Sequence, residues 1–361
     1  MRILDKYILK KYFTSFIFVL IILIPIAIAI NVSEKIDKFL EHANLGVIEI
    51  INDYYIPFII YYGATFMPLA LFISTIFLTS KLASNTEIVA IHSAGISYNR
   101  FLKPYIIGAI IIGLISFMAN HFIVPSANKS FEEFEETYLR KTKKTKTNVD
   151  HVSLQLSEND YVYFRNFNLR TNRGFNFSYE VFDGLHLKYK ITAQSIKWNE
   201  KDSTFSLTNY KERKLFPLND SIETGRKLDT TFNFFPKDLL YVGYLAQEMP
   251  SFQLSKHIKK SKNRGVKNLN KYKVELYKRS SLPFSSLILT IVAVSLAARK
   301  RRGGMGIGLA VGVSLMFLYI FFMKVSEVLG AGATYNSFFM VWIPNISFGI
   351  LAVYLYFNAK Q

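Results

Sequence analysis

The chain contains no cysteine in 361 residues, which excludes disulfides, thiolate metal sites and cysteine nucleophiles together. It also lacks the GxxxxGK[ST] phosphate loop, so it does not itself hydrolyse nucleotide by a Walker mechanism. There is no HExxH motif, and the six histidines stand in unrelated contexts without metal-ligand spacing. The sequence therefore predicts no catalytic residue, no metal site and no cofactor bound by this chain.

What the chain does have is a set of six apolar runs, each close to the ~20 residues that cross the hydrocarbon core of a bilayer. They are Phe13–Ile30, Ile56–Thr79, Tyr105–Val124, Leu282–Ala298, Met305–Met323 and Phe338–Phe357. They contain no string of carboxylates such as a proton-driven carrier needs. The sequence predicts an integral membrane protein with six transmembrane helices.

Basic residues predict the orientation, because Lys and Arg concentrate in short cytoplasmic loops. They precede the first span, flank the loop between the second and third spans, and follow the fourth span as Arg299–Arg302. The opposite loop, 33–55, is acidic apart from Lys35 and Lys38, and Lys324 and Glu327 are placed in a short outer loop after the fifth span. Both termini are thus predicted to be cytoplasmic. A cleavable signal peptide over the first run is the weaker alternative, because the run is longer than a signal peptide's apolar core.

A polar segment between the third and fourth spans predicts one large external domain. It begins with a charged helix, Lys129–Leu139, and continues with short segments of alternating polar and apolar residues. Their spacing of about 8–12 residues favours an antiparallel sandwich or jelly roll. The predicted strands are Val152–Leu156, Tyr161–Arg165, Phe175–Val181, Leu185–Ile191, Ala193–Asn199, Thr204–Tyr210 and Thr230–Phe235.

These patterns divide the chain into three predicted segments. Residues 1–125 hold transmembrane helices 1–3 and a cytoplasmic helix at 84–95. Residues 126–272 hold an external, jelly-roll-like all-β domain with membrane-proximal helices, and residues 273–361 hold transmembrane helices 4–6. The external stretch 126–279 has 29 Lys and Arg against 18 Asp and Glu, a net charge of +11. This charge favours anionic lipid head groups over nucleic acid as an external partner, with a merely solubilising surface as the alternative.

Two short motifs stand out. Gly304, Gly308 and Gly312 open the fifth span at four-residue spacing, which favours close helix packing over a dinucleotide loop. In the loop after the second span, Ser84 and Glu87 form a capping box and Gly95 suits a helix end, which together predict a helix of about ten residues. Its apolar surface is compatible with docking to another protein or with packing on the chain's own spans.

The loop residues resemble a known family. The pattern Glu-x-x-Ala-x-x-x-x-Gly-Ile-Ser, which starts at Glu87, is similar to the coupling helix of the LptF/LptG permeases of the lipopolysaccharide export ABC transporter. Leu4–Tyr7, Asn120–Asn128 and Glu275–Pro283 extend the resemblance over nearly the whole chain. The order of six spans, with a large domain between the third and fourth, is also that of the family.

The resemblance implies a non-enzymatic permease subunit in a bacterial inner membrane. A second chain of the LptF/LptG type would pair with it, a cytoplasmic ABC ATPase dimer would use the ATP, and periplasmic bridge proteins of the LptC/LptA type would receive the lipopolysaccharide. Glu87, Ala90 and Gly95 would lie at the ATPase contact. Lys35 and Lys38 would meet lipid phosphates, or would only extend to the membrane interface.

Three further interpretations remain open at this stage. Arg279 and Glu275, one helical turn apart, form a structural pair or line a cavity, and the first is favoured. The chain could instead belong to another ABC class and move a periplasmic domain without carrying lipid. It could also be a membrane-anchored periplasmic enzyme, in which case polar residues should cluster in a pocket of the β domain.

Overall fold

A computed structural model describes residues 3–42, 45–139, 148–156, 159–200, 202–216, 219–232, 234–236, 245–263, 269–298, 304–332 and 334–360. The chain forms two compact units. The helical unit comprises Met1–Leu139, Leu245–Leu254 and Asn270–Gln361, and the β unit comprises Arg140–Tyr244 and Ser255–Leu269. The helix that contains Lys129 therefore belongs to the helical unit, and the β unit is smaller than the predicted segment 126–272. The basic cluster Arg299–Arg302 lies outside the described residues.

Among the described residues, six helices of the helical unit are long and apolar enough to span a membrane, and each overlaps one predicted run. They extend beyond the apolar runs at one or both ends. The placement of Lys324 and Glu327 in a loop is wrong, because both lie within the fifth long helix. The helices are α1 (Ile3–Leu40), α2 (Val47–Glu49), α3 (Ile56–Ser84), α4 (Glu87–Ser93), α5 (Tyr98–Met118), α6 (Val124–Phe134), α7 (Leu245–Glu248), α8 (Ser251–Asn263), α9 (Asn270–Ala297), α10 (Gly304–Ala331) and α11 (Ser337–Lys360).

Helix α9 lies at the centre of the helical unit. Small polar side chains along it are buried, namely Ser281, Ser285, Ser286, Thr290 and Ser295. Such residues let neighbouring helices approach closely and form hydrogen bonds between them. In α11, the Nδ2 of Asn345 donates to the carbonyl and hydroxyl oxygens of Ser281 at 2.8 and 2.9 Å, and the Tyr319 hydroxyl of α10 donates to the Oδ1 of Asn345 at 2.8 Å.

Glycines allow three of the closest helix contacts. A methyl group on Gly113 of α5 would lie 3.1 Å from the carbonyl oxygen of Pro283 in α9. One on Gly108 would lie 2.6 Å from the ring of Tyr12 in α1. Gly312 of α10 leaves no room for a side chain beside Ile76 of α3. These positions therefore fix how near α5 and α10 come to their neighbours.

An aromatic cluster occupies one end of the helical unit. π-helical turns at Ile50–Tyr55 and Glu135–Leu139 contribute to it, and such turns often mark functional positions in helices. Tyr54 is fully buried at its centre, with ring centroids 4.9 to 6.3 Å from its aromatic neighbours. The buried members are Phe39, Tyr54, Phe58, Phe131, Phe134 and Leu139.

In the part of the β unit that the structure describes, one antiparallel sheet has six strands that pair in sequence order. The jelly-roll topology stays a prediction. Leu185–Ile191 and Ala193–Asn199 are parts of one strand, and Thr230–Phe235 is wrong as a strand because the sixth strand ends at Thr230. The strands are β1 (Asn148–Gln155), β2 (Asp160–Asn168), β3 (Arg173–Asp183), β4 (His186–Asn199), β5 (Thr204–Leu215) and β6 (Asp220–Thr230).

The inward-facing residues of the sheet shift by one position along a line that crosses all six strands, which we term the slip line. At this level each strand pair lacks one ladder pair. The inward positions step by three residues instead of two, as from Phe164 to Phe167 in β2 and from Ala193 to Ile196 in β4. Extra residues that shift strand phase in this way bend a sheet. The line consists of His151, Arg165, Asn176, Gln194, Asn209 and Arg226, and the first, third and fifth of these have left-handed φ angles near 50°.

Candidate functional site

The short helix α4 begins later than the sequence predicts. Ser84 is the last residue of α3, and α4 starts at Glu87 after Thr86, whose φ is +61°. The predicted capping box is therefore wrong, because burial of Leu82 and Ala83 keeps α3 helical up to Ser84. At the other end Gly95 has a φ of +79°, and its N–H donates to the carbonyl of His92 at 2.9 Å. This is the left-handed residue that commonly follows a helix.

Helix α4 has one packed face and one exposed face. Ile88 is buried in the same cluster as Ile8 and Phe101, so the helix packs on the chain's own spans. Val89 is 55% exposed, and Ala90 is exposed beside it. Ser93, Ala94 and Gly95 continue this small, weakly polar surface.

Glu87 binds α1 of its own chain. Its Oε2 accepts a hydrogen bond from the Tyr7 hydroxyl at 2.8 Å and lies 3.6 Å from the Nζ of Lys11, while Asn85 donates to its Oε1 at 3.2 Å. Burial raises the pKa of the Glu87 carboxyl, but the hydrogen bonds from Tyr7 and Asn85 and the charge of Lys11 outweigh it. The net pKa is below its ordinary value, so Glu87 is ionised at neutral pH.

A second link joins α1 to the start of α5. Arg100 donates to both carboxylate oxygens of Asp5 at 2.7 and 2.8 Å, and Asp5 is only 6% exposed. Two parallel charge-assisted hydrogen bonds fix orientation as well as distance. The sequence analysis did not assign these residues a role, although Asp5 is the one acidic residue of a basic flank and lies within the Leu4–Tyr7 resemblance.

The two lysines predicted to meet lipid differ in their surroundings. Lys35 lies 3.4 Å from the Oε1 of Glu135, whose side chain is 10% exposed. Lys38 is half-buried, and the described part of the chain shows no hydrogen bond or ion pair for it. Lys35 is therefore already neutralised by its own chain, whereas Lys38 retains an uncompensated charge among the described residues.

Arg279 has the structural role that the sequence favours. It is 3% exposed, and its Nε donates to Glu275 at 3.2 Å. Its two other nitrogens donate to the carbonyls of Ala246 and Met249, both at 2.7 Å. Arg279 thus holds α7 against α9.

Glu275 also lines a cavity of about 180 Å³ in the helical unit, so the cavity-lining interpretation holds for this member of the pair. Its wall is mostly apolar, with Phe66 and Leu69 from α3 and Met316 from α10. Lys278 lines one side and lies 3.2 Å from Glu327. Of the predicted packing glycines, Gly308 and Gly312 face α3, whereas the surroundings of Gly304 lie outside the described residues.

In the β unit the open groove shares Val162, Phe177 and Ala193 with the apolar cluster of the sheet. The groove, about 1220 Å³, is lined by polar and aromatic residues such as Tyr161, Tyr163 and Gln194. Its carboxylate, Glu180, is paired with Lys190 at 2.7 Å, and no histidine or second carboxylate lines the groove among the described residues. The apolar face is covered by the described residues Phe232 and Phe234, which pack on its phenylalanines. Among the described residues, the groove therefore holds one carboxylate, which is already paired with a lysine.

No curated protein sequence matches the chain at a significant level. A family model described as lipopolysaccharide export system permease LptF/LptG matches residues 6–358, nearly the whole chain. The match covers α4 and all but the outermost residues of α1 and α11, with the other long helices between them. The chain therefore belongs to the LptF/LptG family of lipopolysaccharide export permeases.

Proposed function

We propose that this permease is one half of an ATP-driven extractor that removes lipopolysaccharide from the inner membrane and passes it to a periplasmic bridge. The family makes the chain a transport subunit and a multi-pass inner-membrane protein. Burying or exposing acyl chains involves ~0.8 kcal/mol per CH₂ group, so extraction needs an external energy source. Because the chain has no phosphate loop, a separate ATPase supplies it.

The observation that carries this proposal is the exposed face of α4. Val89, Ala90, Ser93 and Ala94 form a small, weakly polar surface that fits the groove of a partner protein. We assign this face to the ATPase contact, on the cytoplasmic side. A second LptF/LptG-type chain completes the transport cavity.

Lys38 is the better candidate for a lipid phosphate contact. A phosphate gains most from a cation that has no partner in the protein, and Lys35 already has Glu135. Replacing Lys38 with alanine should therefore reduce lipopolysaccharide binding more than replacing Lys35. Binding of purified lipopolysaccharide to the two variants in detergent ranks them.

The experiment that tests the proposed function is co-purification of the native ATPase with the chain and its Ala90→Lys variant. A charge buried without a partner in the contact should lower the retained ATPase by about tenfold or more. Val47→Lys adds the same charge at a position that is 72% exposed on α2 and serves as the matched control. Equal retention by both variants would remove α4 from the contact, and no ATPase with the unmodified chain would refute the proposal.

A further inference from the structure

A pocket rich in lysine, which we term the basic pocket, lies between the beginning of α1 and the end of α3. Its volume is about 460 Å³, within the ~300–1,000 Å³ of ordinary small-ligand sites. Lys10, Lys11 and Thr14 line one wall, at positions that share a face of α1. Phe77 and Lys81 line the opposite wall from α3. Lysines from two different helices therefore line one concave surface.

The basic pocket lies at the boundary between the apolar runs and their polar flanks. Lys11 comes two residues before the run Phe13–Ile30. Lys81 comes two residues after the second run, which ends at Thr79. This is the depth of the lipid head groups, to which lysine side chains extend. Phe77 is one turn of α3 before Lys81 and so lies ~6 Å nearer the middle of the span, at the level where acyl chains begin.

Two of the three lysine charges are not neutralised by the described part of the chain. Lys11 lies 3.6 Å from Glu87, and its Nζ also donates to the Tyr7 hydroxyl. For Lys10 and Lys81, in contrast, the described residues provide no ion pair, and no carboxylate among them lines the pocket. Two positive charges are thus left for an anionic ligand.

Packed residues behind the pocket hold its two walls side by side. Tyr12 of α1 and Leu78 and Leu82 of α3 belong to one buried cluster. Beyond Phe16, α1 has no buried residue before Phe39, so the basic pocket lies in the firmly packed beginning of the helix. Walls that are already in place lose little freedom when a ligand binds, which distinguishes this site from isolated lysines on a flexible surface.

We propose that the basic pocket binds an anionic phospholipid, with the head-group phosphate at Lys10 and Lys81 and an acyl chain beside Phe77. Basic pockets between membrane spans on the cytoplasmic side are typical sites for such lipids. The Phe77 side chain is 39% exposed, so a chain can lie against it. The basic flanks predict that this end of the helical unit faces the cytoplasm, so the lipid comes from the cytoplasmic leaflet. The site requires neither the ATPase nor lipopolysaccharide and is independent of the proposed function.

Native mass spectrometry of the full chain in detergent tests the role of charge, with phosphatidylglycerol and phosphatidylcholine as the probes. The unmodified chain should bind one phosphatidylglycerol molecule more tightly than any phosphatidylcholine. Lys10→Gln combined with Lys81→Gln should weaken this binding by about tenfold or more, because both phosphate partners are removed. Lys6→Gln combined with Lys103→Gln is the control, since it removes two exposed lysines that flank spans at the same boundary but do not line the pocket.

A bulky side chain tests the shape of the pocket separately from its charge. Thr14→Trp fills the pocket while all three lysines remain, and it should also weaken phosphatidylglycerol binding by about tenfold or more. Thr14 is exposed, so the substitution leaves the packed core intact. Ile21→Trp places the same ring on α1 at a position that is 62% exposed and outside the pocket, and it should bind phosphatidylglycerol like the unmodified chain.

Four results would overturn the inference. Equal affinity for the two lipids would show that charge does not select the ligand. Equal losses in the two lysine pairs, or full binding by Thr14→Trp, would reduce the effect to general attraction by basic flanks. Displacement of the bound phosphatidylglycerol by an equimolar amount of lipopolysaccharide would assign the pocket to lipopolysaccharide phosphates instead. Displacement by inorganic phosphate at the same concentration would show that the acyl chain makes no contribution.

Discussion

Helices α1 and α9 both have the length and composition of a membrane span, yet they are packed in opposite ways. In its most apolar stretch, 61% of the residues of α9 are buried inside the chain, against 6% for α1. The buried side of α9 intersperses serine, threonine and alanine with leucine and valine, whereas the exposed side chains of α1 are large, as in Ile21 and Phe18. Lipid tails are as apolar as leucine, so large apolar side chains gain little by leaving them. Small and hydrogen-bonding residues therefore determine which spans pack closely.

The largest loss of stability should come from a substitution that forces α5 away from α9. Gly113→Leu would place a side chain against the carbonyl of Pro283, and we expect a loss of about 3 kcal/mol in the free energy of unfolding, since a backbone atom cannot rotate away. Denaturant unfolding in detergent measures it. Gly349→Leu adds the same bulk where nothing lies within 4 Å and should change stability by less than about 0.5 kcal/mol. Similar losses in both variants would mean that α9 is not the tightly packed helix.

A second substitution tests the packed beginning of α1 against its middle. Gly108→Ala would press a methyl group on the rigid Tyr12 ring and should destabilise the chain by about 2 kcal/mol. Gly63→Ala meets only Ile24 at 3.8 Å, an ordinary contact, and should be close to neutral. Thermal unfolding of the two alanine variants distinguishes the regions, and equal midpoints would mean that the middle of α1 packs as tightly as its beginning.

The polar network of α9 makes a smaller, separable contribution. Asn345→Leu would leave the hydroxyl of Tyr319 and the backbone of Ser281 without their partner, and we expect a loss of about 1–2 kcal/mol. Ile346→Val, at a neighbouring side chain that is 53% exposed, is the control. If the denaturation midpoints of the two variants coincide, packing alone holds α11 on α9.

A change in pH should alter the stability that Glu248 contributes beside α9, whereas it should leave the charge of Glu87 unchanged. Burial, and then the charges of Glu132, Glu136 and Glu133, raise the pKa of Glu248 at the end of α7 to about 7. Its folded pKa exceeds its unfolded value, so its stabilising effect is complete below about pH 4.5 and is lost as pH rises through about 7. Glu87, whose pKa is below its ordinary value, stays ionised as the pH rises through about 7.

Unfolding of Glu248→Gln at pH 5 and pH 8 tests this sign. We expect the variant to gain roughly 1 kcal/mol over the unmodified chain at pH 8 and nothing at pH 5, a value reduced because Glu248 is only half-buried. A gain in stability at pH 5 and none at pH 8 would contradict the raised pKa of Glu248.

The smallest effect should come from the middle of α1. Ile22 is 44% exposed, and Ile22→Ala should alter the stability of the isolated chain by less than about 0.5 kcal/mol. Ile8→Ala, at a fully buried position of the same helix, should cost about 2–4 kcal/mol. A large effect at Ile22 would show that the middle of α1 is packed.

Local patterns in the sequence predict the spans and most strands, because length and periodicity are written in consecutive residues. They predict Arg279 with Glu275, one turn apart, for the same reason. They could not predict that Lys35 pairs with Glu135 or Asp5 with Arg100, since nearly 100 residues separate each pair and only packing brings them together. The sequence analysis divides β4 at Thr192, whereas the strand continues through that residue and its alternation changes phase at Gln194.

The slip line also constrains how this sheet can change in evolution. Removing Asn176 alone would restore regular alternation in β3 but would turn the residues beyond it to the wrong face relative to β2 and β4. Single-residue deletions at this level should therefore be far less tolerated than substitutions, while a coordinated deletion in all six strands would preserve pairing and straighten the sheet. The bend at the slip line is thus a shared property of the six described strands, and a change in one strand has to be matched in the other five.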